Sequence, residues 1–421
     1  MVTGSASRSG ENPAREASYH MDVDKATSDL LIALGYVLDM QEEPCPYHSW
    51  RVAALATSMA VQTARDDASD VFYAAILHDV GAMGTFTHMM RYPTINSQKS
   101  KSEVVAHPER SRKIIANIPG LKSASKLAGE HHEFWNGYGY PSSERGESIS
   151  IGAQFIRIAD TMDLSKKLRP GCKAEDAADL AGLLCNIEIG PETVGAFKEI
   201  IFKEDLYSRL LDDSLLHSLV REIASQVPLP EEWSESAAFD AAMLVFAKTV
   251  DAKHCFTAGH SERVATRARN LVESMGLSAE DVRNAWHAGL VHDVGKVGVR
   301  RSIIDKVGPL DSNDFAMVRK YPILSAYILN DIAHLPELAT IARHHHERWD
   351  GAGYPDGLRG EEIPLLSRVL AVADALDAIT STRSYKTAKS MPEAIRIVNT
   401  ARGIQFDPQV VDAANSACAR L

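Results

Sequence analysis

Apolar positions along this chain recur mainly at helical spacing. Leu30, Leu31, Leu34, Val37 and Leu38 mark one helical face, and Val264, Ala268, Leu271, Val272 and Met275 mark another. Alternating apolar runs are few in either half, so the predicted fold class is all-α, built as helical bundles. Residues 1–20 are rich in Ser, Gly, Glu and Arg without periodicity and are expected to form a disordered tail. The stretch 226–236 (QVPLPEEWSES) carries two prolines and acidic residues and reads as a linker. The expected division is therefore a first domain over 21–225, closed by helices in 172–225. A second domain follows over 237–421, closed by 387–421. A length of 421 residues gives each unit enough chain for its own core.

The polar positions repeat as well. The first half reads His48, His78-Asp79, His107, His131-His132, Asp160; the second reads His260, His292-Asp293, Tyr321, His345-His346, Asp374. From His78 onward the offset is 214, and for the first histidine it is 212. Matched spacing of this kind signals an internal duplication whose repeated unit is a set of metal ligands. A carboxylate beside an imidazole makes sense where both face a divalent ion, and such a carboxylate can bridge two. The His-Asp pair, an upstream His and a downstream Asp would hold one ion. The remaining His and the His-His pair would hold a second. Two ions about 3.5–4 Å apart can generate a nucleophile for in-line attack on phosphorus. Imidazole and carboxylate ligands suit iron, manganese or zinc better than magnesium. His344 precedes the pair but cannot share its direction, since neighbours on a helix lie about 100° apart. It is expected on a solvated face, and His254 and His287, which have no counterpart in the repeat, are expected to be ordinary.

Bulk properties narrow the picture. A net charge of -11 argues against DNA or other non-specific nucleic-acid binding, without excluding a small anionic ligand near metal ions. The five cysteines are scattered and odd in number, which suits reduced thiols and a cytoplasmic location. No run of about 20 apolar residues predicts a membrane span, and the N-terminus has no apolar signal-peptide core.

Two stretches make the pattern recognisable. His345-His346-Glu347-Arg348-Trp349-Asp350-Gly351-Ala352-Gly353-Tyr354-Pro355, with His292-Asp293-Val294-Gly295-Lys296 and the segment from Asp374 to Thr380, closely resembles the HD-GYP family of phosphohydrolases. His78-Asp79-Val80-Gly81 and the segment from His131 to Pro141 resemble it too, with less specificity elsewhere in residues 45–240. The resemblance implies an all-helical tandem of HD-type bundles. It implies two or three metal ions per site, often iron or manganese, and hydrolysis of cyclic di-GMP or, in some members, cyclic GMP-AMP. It further implies a Gly-Tyr-Pro surface that can contact diguanylate cyclases. Asp79 and Asp293 would be the bridging, catalytic carboxylates. Lys296, Arg383, Tyr385 and Lys386 match the family's phosphate- and guanine-side residues, and Arg169 matches its basic residue in the first half.

The halves depart from the pattern differently. The first keeps all seven ligands but has Ala82 where the family has lysine, and Cys172 in place of a later lysine. The second keeps the basic residues but has Tyr321 in a histidine position; a phenol with an ordinary pKa of about 10 is a poor ligand for divalent ions. Pro44 and Phe256 stand where a third-metal glutamate would be, so neither site is expected to be trinuclear. On ligand count the first half is the expected catalytic half. A rival reading is a non-catalytic cyclic-dinucleotide sensor or scaffold, against which the seven retained ligands argue. No recognisable input module fits in the residues preceding the first unit.

Overall fold

The computed structural model describes residues 22–40, 46–63, 68–84, 92, 94–234, 236–253, 259–304, 306, 308–382 and 387–418. Arg383, Tyr385, Lys386, Pro44, Phe256, His254 and the 1–20 tail lie outside the described residues. The described residues fold as helices with two isolated β-bridges, Cys185–Ile189 and Arg402–Phe406, and no extended strand.

Six helices of each half correspond. In the first half they are α1 (Val23–Asp39), α2 (His48–Thr63), α3 (Ala68–Leu77), α4 (Ser102–Ile115), α5 (Lys122–Glu130) and α6 (Ile151–Leu164), with α7 (Leu216–Gln226) closing the bundle. In the second they are α8 (Ser236–Ala252), α9 (His260–Ser274), α10 (Ala279–Val291), α11 (Tyr321–Tyr327), α12 (Pro336–His344) and α13 (Leu365–Thr380). The packing repeats with the helices: α2 lies against α3 and α6 as α9 lies against α10 and α13, and α4 lies against α5 as α11 lies against α12. Leu30, Leu31, Leu34, Val37 and Leu38 of α1 are buried, as are Val264, Ala268, Leu271 and Val272 of α9.

The halves share one continuous core. Their equivalent first helices, α1 and α8, pack on each other. Beyond them the contacts are reciprocal. The end of α8 meets the first half's His-Asp turn, where a Cβ on Gly84 would lie 1.9 Å from the Ala252 carbonyl oxygen. The end of α1 meets the second half's turn, with Met40 Cε 3.6 Å from a Cβ built on Gly298. Lys253 joins the two: its ammonium donates to the carbonyls of Met40 (3.2 Å) and Val297. The 226–236 stretch is anchored. Trp233 is buried, its indole N–H donates to the Pro119 carbonyl at 2.9 Å, and its ring meets Tyr73 edge-on.

Candidate metal centres

Four of the candidate ligand side chains sit where helices end, for a backbone reason. The last carbonyls of a helix lack intrahelical partners. His78 follows α3 and its Nδ1 donates to the Ala75 carbonyl at 2.7 Å; His131 follows α5 and donates to Ala128 at 2.6 Å. His292 and His345 do the same with Gly289 and Ala342. His107 lies inside α4, but Pro108 has no N–H to offer the Val104 carbonyl four residues back. The His107 Nδ1 takes that carbonyl at 2.6 Å. Each bond puts the proton on Nδ1 and leaves Nε2 with a lone pair directed inward, the tautomer that metal ligation needs.

A second set of residues holds the first histidine of each half. His48 Nδ1 donates to Asp163 at 2.8 Å, and Asp163 also accepts from Arg51 at 2.7 Å and pairs with Arg169 at 3.1 Å. His260, Asp377 and Arg263 repeat this at 2.9 and 2.8 Å. Asp39 accepts from the backbone N–H and hydroxyl of Ser49, and Asp251 from those of Ser261, which pins the start of α2 and α9. Burial pushes the Asp39 carboxyl up to about 7. Of these residues, Arg169 was expected as a substrate contact and here pairs with Asp163, whereas the supporting pairs Asp163–Asp377 and Arg51–Arg263 were not singled out, although they recur at the same offsets as the candidate ligands.

The glycine after each His-Asp-x allows close approach. A Cβ on Gly81 would lie 2.4 Å from Ser111 N, and one on Gly295 would lie 2.1 Å from the Tyr321 carbonyl oxygen. The His-Asp turn is thereby pressed against the helix carrying position 107 or 321.

Potential ligand atoms gather in both halves. Asp79, His107, His131 and His132 form one cluster, and His48, His78 and Asp160 another. In the second half the clusters are His260, His292 and Asp374, and His292, Asp293 and His345. His78 Nε2, Asp79 Oδ1, His292 Nε2 and Asp293 Oδ1 are buried with no hydrogen-bond partner. Buried polar atoms without a partner are costly, and cations among them would satisfy all four. The donor sets therefore fit divalent metal ions.

The second half differs at two points. Tyr321 reaches into the space of the second cluster, and its hydroxyl hydrogen-bonds the Nε2 atoms of both His345 (2.9 Å) and His346. Burial, reinforced by the nearby carboxylates of Asp293 and Asp374, pushes this phenol well above its ordinary range, so it is a hydroxyl and not a phenolate. Lys296 salt-bridges Asp293. Burial disfavours the charged form of Asp293, but the His292 imidazole and the Lys296 ammonium outweigh it and hold the carboxyl well below its usual range.

Other candidates resolve plainly. His344 turns away from the cluster to Asp356, and His287 pairs with Asp240. Glu133 and Glu347, the glutamates of the His-His-Glu stretches, accept backbone N–H groups of Ser142 and of Asp356 and Gly357, fixing the Gly-Tyr-Pro turns. A cavity of about 340 Å³ opens beside the second-half ligands, lined among others by Phe315, Arg319, His346, Tyr354, Asp374 and Gln405.

One HD-domain profile matches residues 47–164 and another matches residues 244–410. The 3'3'-cGAMP-specific phosphodiesterase 3 of Vibrio cholerae serotype O1 is 26% identical over 93% of this chain and 94% of its own length. The chain carries two HD domains in tandem. Among other relatives, the cyclic di-GMP phosphodiesterase response regulator RpfG of Xanthomonas campestris pv. campestris is 38% identical over 40% of this chain and 45% of its own. The crystal structure of a cyclic GMP-AMP-specific phosphodiesterase of V. cholerae superposes with a TM-score of 0.67 at 23% identity, covering 94% of this chain and 98% of that one. That superposition establishes the tandem HD fold over nearly the whole chain.

Proposed function

We propose that this tandem HD-domain protein is a metal-dependent phosphoric diester hydrolase of the HD-GYP type that opens a cyclic dinucleotide to its linear form. The observation that carries the reading is the cluster of partnerless buried imidazole and carboxylate atoms beside an open cavity in the second half. Iron or manganese, when bound there, would supply Lewis-acid charge and activate water for attack on phosphorus. The protein's own side chains do the rest. His260 is held by Asp377, and His292 by the Gly289 carbonyl, so the ligand lone pairs are oriented before any ligand arrives. Lys296 and Arg319 place positive charge at the site and at the cavity wall, where a phosphodiester's developing charge would be stabilised. Arg383, Tyr385 and Lys386 are proposed as further substrate contacts, whereas Arg169 in the first half pairs with Asp163. Diguanylate cyclase domains are proposed partners of the Gly-Tyr-Pro surface.

Ligand count favours the first half, whereas the cavity favours the second; we assign turnover to the second. Asp293→Ala should lower the rate at least as much as loss of one electrostatic donor does, about 10²–10³-fold. Asp79→Ala should leave most of it. Both variants, loaded with manganese or iron, are to be assayed by chromatography of the linear product. The opposite ranking would move the chemistry to the first half. Cyclic GMP-AMP is a second substrate candidate, because the relative that spans nearly the whole chain is specific for it. Parallel kcat/KM measurements on both nucleotides decide between them. Tight nucleotide binding with no product from either would make the protein a sensor.

A further inference from the structure

The first half contains a buried cation of its own. Arg157 on α6 donates to Glu188 at 2.6 Å, to Asp160 at 3.3 Å and to His132 Nδ1 at 3.0 Å, and lies over the Phe134 ring at 4.9 Å. The contact with His132 is the informative one. A guanidinium has only donors, so His132 Nδ1 must accept. The proton of the neutral ring then sits on Nε2. That is the reverse of His78, His107 and His131, whose Nδ1 atoms face carbonyls. With Nε2 protonated, His132 has no lone pair to offer the cluster, and a positive charge already sits beside Asp160.

The second half shows what stands there otherwise. Arg157 maps to Ala371 at the 214 offset. Glu188 maps to Gln405, because Trp135 N and Trp349 N donate to the carbonyls of Glu188 and Gln405 respectively (3.0 and 3.1 Å). Ala371 and Gln405 both line the 340 Å³ cavity. In the first half the Arg157–Glu188 ion pair stands at these two positions; Tyr140 lies against His132 as Tyr354 lies against His346, but Tyr140 is buried whereas Tyr354 lines the cavity.

We propose that the Arg157–Glu188 pair replaces the second metal ion in the first half and closes its nucleotide cavity. This site then holds one ion, through His48, His78 and Asp160, instead of the two that ligand identity predicts. The proposal rests on the metal-binding reading of the clusters, not on which nucleotide is hydrolysed or where.

The test counts metal in the full chain with the second centre emptied by His292→Ala and Asp293→Ala. Manganese-loaded protein should contain one ion per chain by elemental analysis and give an uncoupled Mn(II) spectrum. Adding Arg157→Ala with Glu188→Gln, which copies the second-half pair, should raise this to two ions with a spin-coupled spectrum. Two ions before the substitution, none at all, or no rise after it, each overturns the proposal. A reciprocal variant guards against misfolding of the first: Ala371→Arg with Gln405→Glu, in the otherwise unaltered chain, should weaken cyclic dinucleotide binding in equilibrium dialysis at least tenfold. Unchanged binding there counts against the plug. Turnover by the unaltered chain, measured separately, tests the hydrolase reading alone.

Discussion

Asp163 shows how much of the first site depends on a residue that touches no predicted metal. Its carboxylate is fully buried and holds His48, Arg51 and Arg169 at once. Asp163→Ala should free the His48 ring to rotate and leave the buried Arg51 without one of its carboxylate partners. Breaking a buried ion pair typically costs about 3–5 kcal/mol, and loss of a group supporting a metal ligand lowers affinity about 10–100-fold. Urea denaturation and manganese titration of the variant would read the two effects. A loss below about 1 kcal/mol would mean that Asp213, which also pairs with Arg51 at 2.7 Å, compensates.

Between elements, the His-Asp turn works because glycine lets it lie against the next helix. Gly81→Ala would set a Cβ 2.4 Å from Ser111 N and 2.5 Å from the His107 carbonyl oxygen, both backbone atoms that cannot swing aside. Overpacking of this kind costs about 1–3 kcal/mol. It should also lever Asp79 away from His107, which now lie 3.1 Å apart. His78, a ligand of the proposed first-half ion, sits on the same turn, so the expected outcome is a lower melting temperature together with weaker metal binding in the first half. An unchanged metal content would show that the turn adjusts without moving His78. The candidate ligands on these elements, which the fold brings together, were legible from sequence because few residue types bind metal and their spacing repeats. Arg157 was not legible, since it interrupts the repeat, and its partner Glu188 aligns with Gln405 only after the offset has slipped from 214 to 217. Tyr321 was recognised as a departure. Its two hydrogen bonds, to His345 and His346, depend on how α11 faces α12, which no spacing reveals.

Across the whole molecule, the contact between halves was the least legible feature. The periodicity of α1 marks one apolar face, yet α1 is covered on its polar side too. Asp29 is only 5% exposed and pairs with Arg221 at 3.0 Å, while the second half's His334 lies 3.5 Å away. The stretch expected as a linker belongs to this shared core through Trp233. Trp233→Ala should cost about 3–5 kcal/mol, as for other buried Trp truncations. Because the core is continuous, calorimetry should show a single transition moving to lower temperature. Two separated transitions would mean that the halves unfold independently.

The crossed contacts, Met40 against Gly298 and Ala252 against Gly84, are those of two identical subunits about a diad, in which residue i meets j and j meets i. Two halves so related sit as the protomers of a homodimer would, but within one chain. In a homodimer every substitution strikes both centres together, so neither can drift without the other. Once the copies share a chain, each position is inherited separately. One centre can then exchange a ligand for Tyr321, and its twin can acquire Arg157, with no correlated damage. A single chain thus permits two different centres that a homodimer would not.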